Sequence, residues 1–297
     1  MPLGYSILYR GILSSCNYDC PYCPFAKQLD SPAELRTDRE QLLRFCAWIQ
    51  AHVSHEFAVF FTPWGEALVR KWYRDAIVEL SWLPHVTKVA VQTNLSCRLD
   101  WLADANVEKV GLWCTYHPNQ TDADAFLAQC AHLDRLNASY SVGCVGLREH
   151  QADIERLKRR LPDDVYLWIN AYKSQPDYYD RALFDAFERI DRLFPMNAKS
   201  HASLGRACQC GSRVFTVDGQ GNMRRCHFVK DVIGNLYNAN FELFLGNNPC
   251  PNAICGCHIG YVHLDHLQLY REFGGGVLER IPASHAVSYQ SDTRQIK

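Results

Sequence analysis

The sequence predicts an α/β protein: a mainly parallel sheet with helices packed on it, followed by a small cysteine-rich region built on a β-hairpin. Three observations lead there. Six short β-branched or aromatic runs each precede a segment of helical spacing. That alternation stops near residues 193–204, where turn residues and closely spaced cysteines take over. Hydrophobic residues make up 47% of the 297 residues, enough to bury a sizeable core.

The strand candidates are 5–10, 58–62, 88–93, 110–116, 140–145 and 165–170. Residues 38–53 are the clearest helix. Thr37 or Asp38 can cap it, and Leu42, Phe45, Cys46, Ile49 and Val53 form one apolar stripe. Further helices are expected at 72–82, 99–105, 123–136, 151–161 and 178–191. Strand-then-helix units imply right-handed crossovers, hence a barrel, a partial barrel or an open doubly wound sheet. Periodicity alone leaves these three open. Beyond residue 200, runs 213–217 and 223–228 flank a turn rich in Gly, Asp and Asn and read as a hairpin. A last helix is expected within 262–273, and Gly274–Gly276 mark a break before a polar tail. The domain expectation is therefore 1–198, 199–273 and a tail at 274–297.

Charge narrows the function. The 31 basic and 32 acidic residues give a formal net charge of −1, which carries no footprint for a phosphate backbone and argues against a nucleic-acid partner. The start shows no signal-peptide pattern, and no apolar run is long enough for a membrane helix. These features suggest a cytoplasmic chain without a membrane partner, in which clustered cysteines serve as metal ligands rather than disulfides.

Fourteen cysteines are unevenly placed. Cys46, Cys97, Cys114, Cys130 and Cys144 stand alone in apolar segments and read as small core residues. Cys16, Cys20 and Cys23 form C-N-Y-D-C-P-Y-C, a CxxxCxxC spacing between the first strand and first helix. In a parallel barrel this loop lies at the C-terminal face, where active sites form. Three thiolates can bind three corners of a cubane cluster and leave the fourth iron open. A zinc site or simple packing is the alternative, although structural zinc usually takes four protein ligands.

This loop, with an aromatic (Tyr22) before its last cysteine, resembles the radical SAM superfamily. The resemblance implies a partial (β/α)6 TIM-like barrel. It also implies a 4Fe-4S cluster on Cys16, Cys20 and Cys23 whose open iron chelates S-adenosylmethionine. Cleavage would give a 5′-deoxyadenosyl radical that abstracts a hydrogen atom from substrate. Thr62–Glu66, T-P-W-G-E, is similar to the family's G-G-E-P segment, retaining Gly65 and Glu66 but not the first residues or the final Pro. Gln92–Asn94 matches a polar strand end near SAM. Gly65, Glu66, Thr93 and Asn94 are thus the expected cofactor contacts; a strand-ending turn and a helix cap are the plainer readings of these residues.

Cys208, Cys210, Cys226, Cys250, Cys255 and Cys257 flank and follow the hairpin and resemble the SPASM/twitch extensions that hold auxiliary iron–sulfur clusters. One fully ligated cluster needs four thiolates. Cys208, Cys226, Cys255 and Cys257 are the preferred set, with Cys210 and Cys250 as alternates or as ligands of a second, open cluster. A four-cysteine zinc site remains the alternative. His227, His258 and His263 are expected to be structural. The family resemblance points to a peptide or protein-residue substrate, or else a small metabolite or cofactor precursor. It also implies a reducing donor of flavodoxin or ferredoxin type. A non-catalytic, metal-stapled binding protein is the third possibility. With the first strand beginning by Tyr5, a leader-recognition function would fall to a separate protein or to the barrel itself. Arg10, Trp113, Thr115, Tyr116, His117, Asn170 and Tyr172 are expected on or just past strands, facing the interior.

Overall fold

The computed structural model describes residues 4–25 and 28–285. Six parallel strands run β1 (Gly4–Arg10), β2 (Glu56–Phe61), β3 (Val86–Thr93), β4 (Val110–Thr115), β5 (Ser139–Gly146) and β6 (Leu167–Ala171). Each pairs with the next in register order. Helices α1 (Pro32–Ala51), α2 (Lys71–Ser81), α3 (Ala123–Arg135), α4 (Gln151–Arg160), α5 (Arg181–Ile190) and α6 (Phe194–Ala198) fill most of the crossovers. The C-terminal part adds β7 (His201–Ala202), β8 (Val214–Asp218), β9 (Asn222–Arg224), β10 (Val232–Asn235), β11 (Ile254–Cys255), α7 (His258–Tyr261) and α8 (Leu269–Phe273).

The sheet order is β10-β9-β8-β1-β2-β3-β4-β5-β6, with β7 and β11 forming a separate pair. The hairpin at 214–224 is therefore not a detached layer. Its strand β8 pairs parallel to β1, Leu8 opposite Thr216 and Arg10 opposite Asp218, and extends the same sheet. Strand alternation sorts side chains to two faces. Ile7, Tyr9, Val59, Phe61, Val89 and Val91 pack under the helices. Leu8, Phe60, Ala90, Trp113 and Trp168 point the other way and meet Cys208, Cys226, Ile259, Tyr261 and Leu278 from the C-terminal part. The inner face of the partial barrel is thus covered by the chain's own C-terminal third.

Several elements differ from expectation for identifiable reasons. Helix α1 starts at Pro32, six residues before Asp38. Ser31 accepts from Glu34 N while the Glu34 carboxylate takes the Ser31 N–H, a capping box with proline at the first turn. Asp38 is then free for another role, described below. Residues 99–105 form only a 3-10 turn, Asp100–Asp104, in place of the expected helix. The helix expected within 262–273 is broken, because Gln268 takes a left-handed φ of 52° between a 3-10 turn and α8. Nor does residue 274 begin a tail leaving the fold. Residues 277–281 return to the inner face: Glu279 and Arg280 are buried, Lys88 Nζ lies 2.6 Å from Glu279, and Ser141 Oγ donates to the Glu279 carbonyl at 2.6 Å. Of the expected tail, residues 286–297 lie outside the described residues.

Gly143 on β5 exists to admit Trp168. A Cβ there would stand 2.1 Å from the indole, whose Nε1 donates to Ser141 Oγ at 3.0 Å. Gly143→Ala should therefore lower unfolding free energy by about 1–3 kcal/mol through overpacking, read by denaturant titration.

Burial also lowers the pKa of His263, to about 4, while its Nδ1 lies 2.8 Å from Tyr270 Oη. The folded state binds this proton less readily than the unfolded chain. Stability is complete above the ordinary histidine pKa and is lost as pH falls from about 6.5 toward 4, at up to about 1.4 kcal/mol per pH unit. His263→Gln should flatten the acid limb of a stability–pH curve by about that slope; an unchanged limb would refute the assignment.

Candidate active site

The cysteine loop joins β1 to α1 and is pinned at both ends by carboxylates. Asp30 Oδ2 accepts from Ser14 N, Ser15 N and Ser15 Oγ at 2.9, 2.8 and 2.7 Å. Asp38, fully buried on α1, accepts from Leu13 N, Tyr73 Oη and Trp72 Nε1. From the other side, Gly65 N donates to the Leu13 carbonyl and Glu66 N to the Ser15 carbonyl. Gly65 must be glycine here, since a Cβ would fall 2.0 Å from the Ser15 carbonyl oxygen.

Glu66 links the next strand ends. Its Oε1 accepts from Leu68 N at 3.0 Å and Thr93 Oγ1 at 2.7 Å, and Oε2 accepts from Asn94 N at 2.7 Å. Burial raises the carboxyl pKa, and these three donors oppose the rise. Asn94 then turns its amide to Asn17 Oδ1 at 3.0 Å and Cys16 Sγ at 3.7 Å. Gly65, Glu66, Thr93 and Asn94 do come together. Glu66 and Thr93 spend their side chains on each other and on backbone, whereas the Asn94 side chain faces the cysteine loop.

The thiols are partly enclosed. Cys16 and Cys23 are half-buried and Cys20 is buried. Tyr18 N donates to Cys16 Sγ at 3.4 Å, and a tight turn brings Cys23 N to the Cys20 carbonyl at 3.0 Å. His117, just past β4, has Nδ1 3.4 Å from Cys20 Sγ and 2.8 Å from Tyr22 Oη. Burial lowers its pKa to about 4, so it is neutral at pH 7. Gln120 completes the brace by accepting from Asp19 N at 2.9 Å. Among the described residues, no three His, Cys, Asp or Glu side chains converge as a single-ion site. Three thiols on one eight-residue loop, with the Tyr18 N–H directed at Cys16 Sγ, offer ligands for three corners of a cubane cluster.

The remaining candidates separate. Trp113 lies deep on the inner face, 5.2 Å from Trp168 between ring centres. Thr115 and Asn170 sit at the strand ends, half-buried and exposed. Tyr116 turns outward against Phe126, and Tyr172 packs on Tyr178. The sequence does not point to Asp30 or Gln120, and it offers Asp38 only as a helix cap. The capping box at Ser31–Glu34 was the available signal, since it frees Asp38 from a capping role.

In the C-terminal part, Cys210 is buried in side-chain contact with both Cys208 and Cys226. A hydrogen bond from Cys210, helped by buried Arg225, lowers the Cys208 thiol to about 7. Cys255 Sγ packs against Gly260 and feels Cys226, Cys257, Cys250 and Cys208. Cys257 differs from the others. Its surface is exposed; desolvation raises its pKa, Arg280, Lys173 and Arg10 oppose the rise, and it also acts on Cys255. Among the described residues no two cysteines form a disulfide.

No family model matches the sequence, and comparison with curated proteins finds no match. Solved structures do match. Native anSMEcpe with bound AdoMet superposes with a TM-score of 0.57 at 15% identity, over 82% of this chain and 81% of that one. The same protein with AdoMet and the Cp18Cys peptide gives 0.55 at 14% identity over the same shares. Streptococcus suis SuiB gives 0.52 at 13% identity, over 83% of this chain and 66% of SuiB. The chain therefore has the fold of these proteins, the partial barrel that the sequence resemblance implied.

Glu66→Gln would set an amide N–H₂ against a donor at one of the three contacts. It should cost about 1.5–3 kcal/mol of stability and loosen the Asn94–Cys16 contact. Denaturant titration measures the first effect. Faster exchange of the Asn94 backbone amide with deuterium measures the second.

Proposed function

We propose that this chain is a radical SAM enzyme acting on a peptide or protein residue, with an auxiliary iron–sulfur site. The observation that carries the reading is the bracing of Cys16, Cys20 and Cys23 by the ends of β1 to β4. When bound, a 4Fe-4S cluster there supplies the electron that cleaves S-adenosylmethionine to the 5′-deoxyadenosyl radical, which takes a hydrogen atom from substrate.

The chain's own residues do the rest by positioning and shielding. Asp30, Asp38 and the Gly65–Glu66 backbone fix the loop. Asn94 and His117 hold Cys16 and Cys20 in place. Tyr18, Tyr22 and His117 wall the loop with rings, which limits water at the thiols. Thr115 and Asn170 place neutral side chains at the strand ends of that face. In the C-terminal part, Cys208, Cys226, Cys255 and Cys257 are the preferred four thiolates for one auxiliary cluster, with Cys210 and Cys250 as alternates. Such a cluster would pass an electron or bind substrate. A peptide as substrate is supported by the same fold in anSMEcpe bound to a peptide. We propose reduction by a flavodoxin or ferredoxin.

Anaerobic reconstitution with iron and sulfide tests this. About eight irons per chain are expected, falling to about four in the Cys16→Ala/Cys20→Ala/Cys23→Ala variant. With dithionite and S-adenosylmethionine, the parent should form 5′-deoxyadenosine and the triple variant none. A fully loaded parent that forms none would sink the reading.

A further inference from the structure

Two side chains from different elements close on the sulfur of Cys20. His117, just past β4, has Nδ1 3.4 Å from Cys20 Sγ and 2.8 Å from Tyr22 Oη. Tyr22 belongs to the cysteine loop itself, within the turn that brings Cys23 N to the Cys20 carbonyl at 3.0 Å, and its hydroxyl also hydrogen-bonds Cys20. The CxxxCxxC resemblance rests on an aromatic ring at Tyr22; the phenolic hydroxyl and His117 play no part in it.

Neither ring is loosely held. The Tyr22 and His117 rings stack at 17° with centres 6.0 Å apart, and Tyr22 meets the buried His150 ring edge-on at 5.3 Å. Tyr18 packs edge-on against His117 at 5.9 Å. Behind the imidazole, Tyr116 N donates to the Gly143 carbonyl at 2.8 Å, and the His117 carbonyl accepts from Gln120 N at 2.9 Å and Thr121 N at 3.2 Å. The Gln120 side chain accepts from Asp19 N at 2.9 Å and donates to the Asp19 carbonyl at 3.3 Å. The His117 turn and the cysteine loop are thus fastened to each other, which fixes Nδ1 and Oη beside the sulfur.

Chemistry decides which group donates. A cysteine bound to iron is a thiolate and only accepts. A lone pair on Nδ1 would repel that thiolate, so ligation selects the His117 tautomer with hydrogen on Nδ1. This N–H is shared between Cys20 Sγ and Tyr22 Oη. The phenolic hydrogen, no longer accepted by the imidazole, is free to point at sulfur. Cys20 then has two side-chain donors, whereas Cys16 receives the Tyr18 N–H at 3.4 Å and the Asn94 amide at 3.7 Å.

We infer that Tyr22 and His117 donate hydrogen bonds to the cluster-bound Cys20 thiolate and so raise the reduction potential of the proposed S-adenosylmethionine-binding cluster. The inference rests on the proposed reading of Cys16, Cys20 and Cys23 as its ligands and adds a control on its electron affinity. Reduction takes one electron from the proposed flavodoxin or ferredoxin, and no proton moves. The added charge spreads partly onto the thiolates, so donors aimed at sulfur stabilise the reduced state more than the oxidised one. Both residues act through Cys20 and are positioning residues.

The test is a redox titration of the reconstituted protein followed by electron paramagnetic resonance. The open-iron cluster is the one whose signal changes when S-adenosylmethionine is added, and the auxiliary cluster is the internal control. Tyr22→Phe keeps the ring and removes the hydroxyl. His117→Asn keeps a donor at the place of Nδ1, and His117→Leu is its apolar isostere, so these two share the loss of the ring and differ in the donor. Tyr22→Phe and His117→Leu should each lower the equilibrium constant for reduction about tenfold, a shift of about 59 mV to more negative potential for one electron. Iron content and the auxiliary potential should stay in place, and His117→Asn should stay near the parent. Equal potentials in the parent and Tyr22→Phe, or in His117→Asn and His117→Leu, overturn the inference, as do shifts that move both clusters alike. Loss of iron at unchanged potential assigns the pair a purely structural role and also overturns it. A parent without a signal that responds to S-adenosylmethionine refutes the proposed enzyme; a responsive signal whose potential ignores these substitutions refutes only the tuning.

Discussion

Glu66 is the point on which the rest of the site depends. Its backbone N–H holds the Ser15 carbonyl, and its carboxylate holds Thr93, Asn94 and Leu68. Through those bonds, the end of β2 ties the cysteine loop of β1 to the end of β3. A carboxylate so fully buried is tolerated because every bond it needs comes from groups that would otherwise be orphaned at strand ends. The neighbouring glycine is part of the same constraint. Without a Cβ, Gly65 lets the β2 backbone close to hydrogen-bonding distance of the loop, a contact no other residue permits.

The inner face shows a second consequence of chain order. A sheet of β1 to β6 alone would expose Phe60, Trp113 and Trp168 to water. The C-terminal third removes that exposure by laying α7, α8 and residues 277–281 across them. The cover is not purely apolar. Glu279 and Arg280 enter a region of aromatic rings, and Gly111 is small because the Glu279 side chain lies 3.0 Å from where its Cβ would stand. Burying two charged side chains there is hard to justify by stability alone, since well-packed apolar residues usually do as well or better.

Much of this was legible in the sequence because it depends on local pattern. The six strands follow from β-branched runs, the hairpin at 214–224 from its Gly-rich turn, and the reactive loop from CxxxCxxC. Other features are set by contacts between residues far apart in the chain. Asp38 looks like a helix cap until Ser31 and Glu34 are seen to fill that role. The segment 262–273 has helical spacing but is apolar on several sides, and tertiary packing breaks it at Gln268. The tail at 274 looked polar because glycines precede it, whereas Glu279 and Arg280 are buried through partners on β3, β4, β5 and β6. The pairing of β8 with β1 joins residues about 200 apart in sequence, a separation that no local pattern encodes.

The six C-terminal cysteines show how structure refines a composition-level statement. Spacing alone treats Cys255 and Cys257 as one CxC pair. A strand places alternate residues on one side, but this strand ends at Cys255, and the chain turns at Gly256 into α7. Cys255 faces Gly260 and the group around Cys226 and Cys208, while Cys257 enters the field of Arg10, Lys173 and Arg280. Two residues of separation thus give neighbouring thiols different charged surroundings, although Cys257 still acts on Cys255. The first setting suits shared ligation of iron. The CxC spacing alone therefore does not rank the two as ligands of an auxiliary cluster.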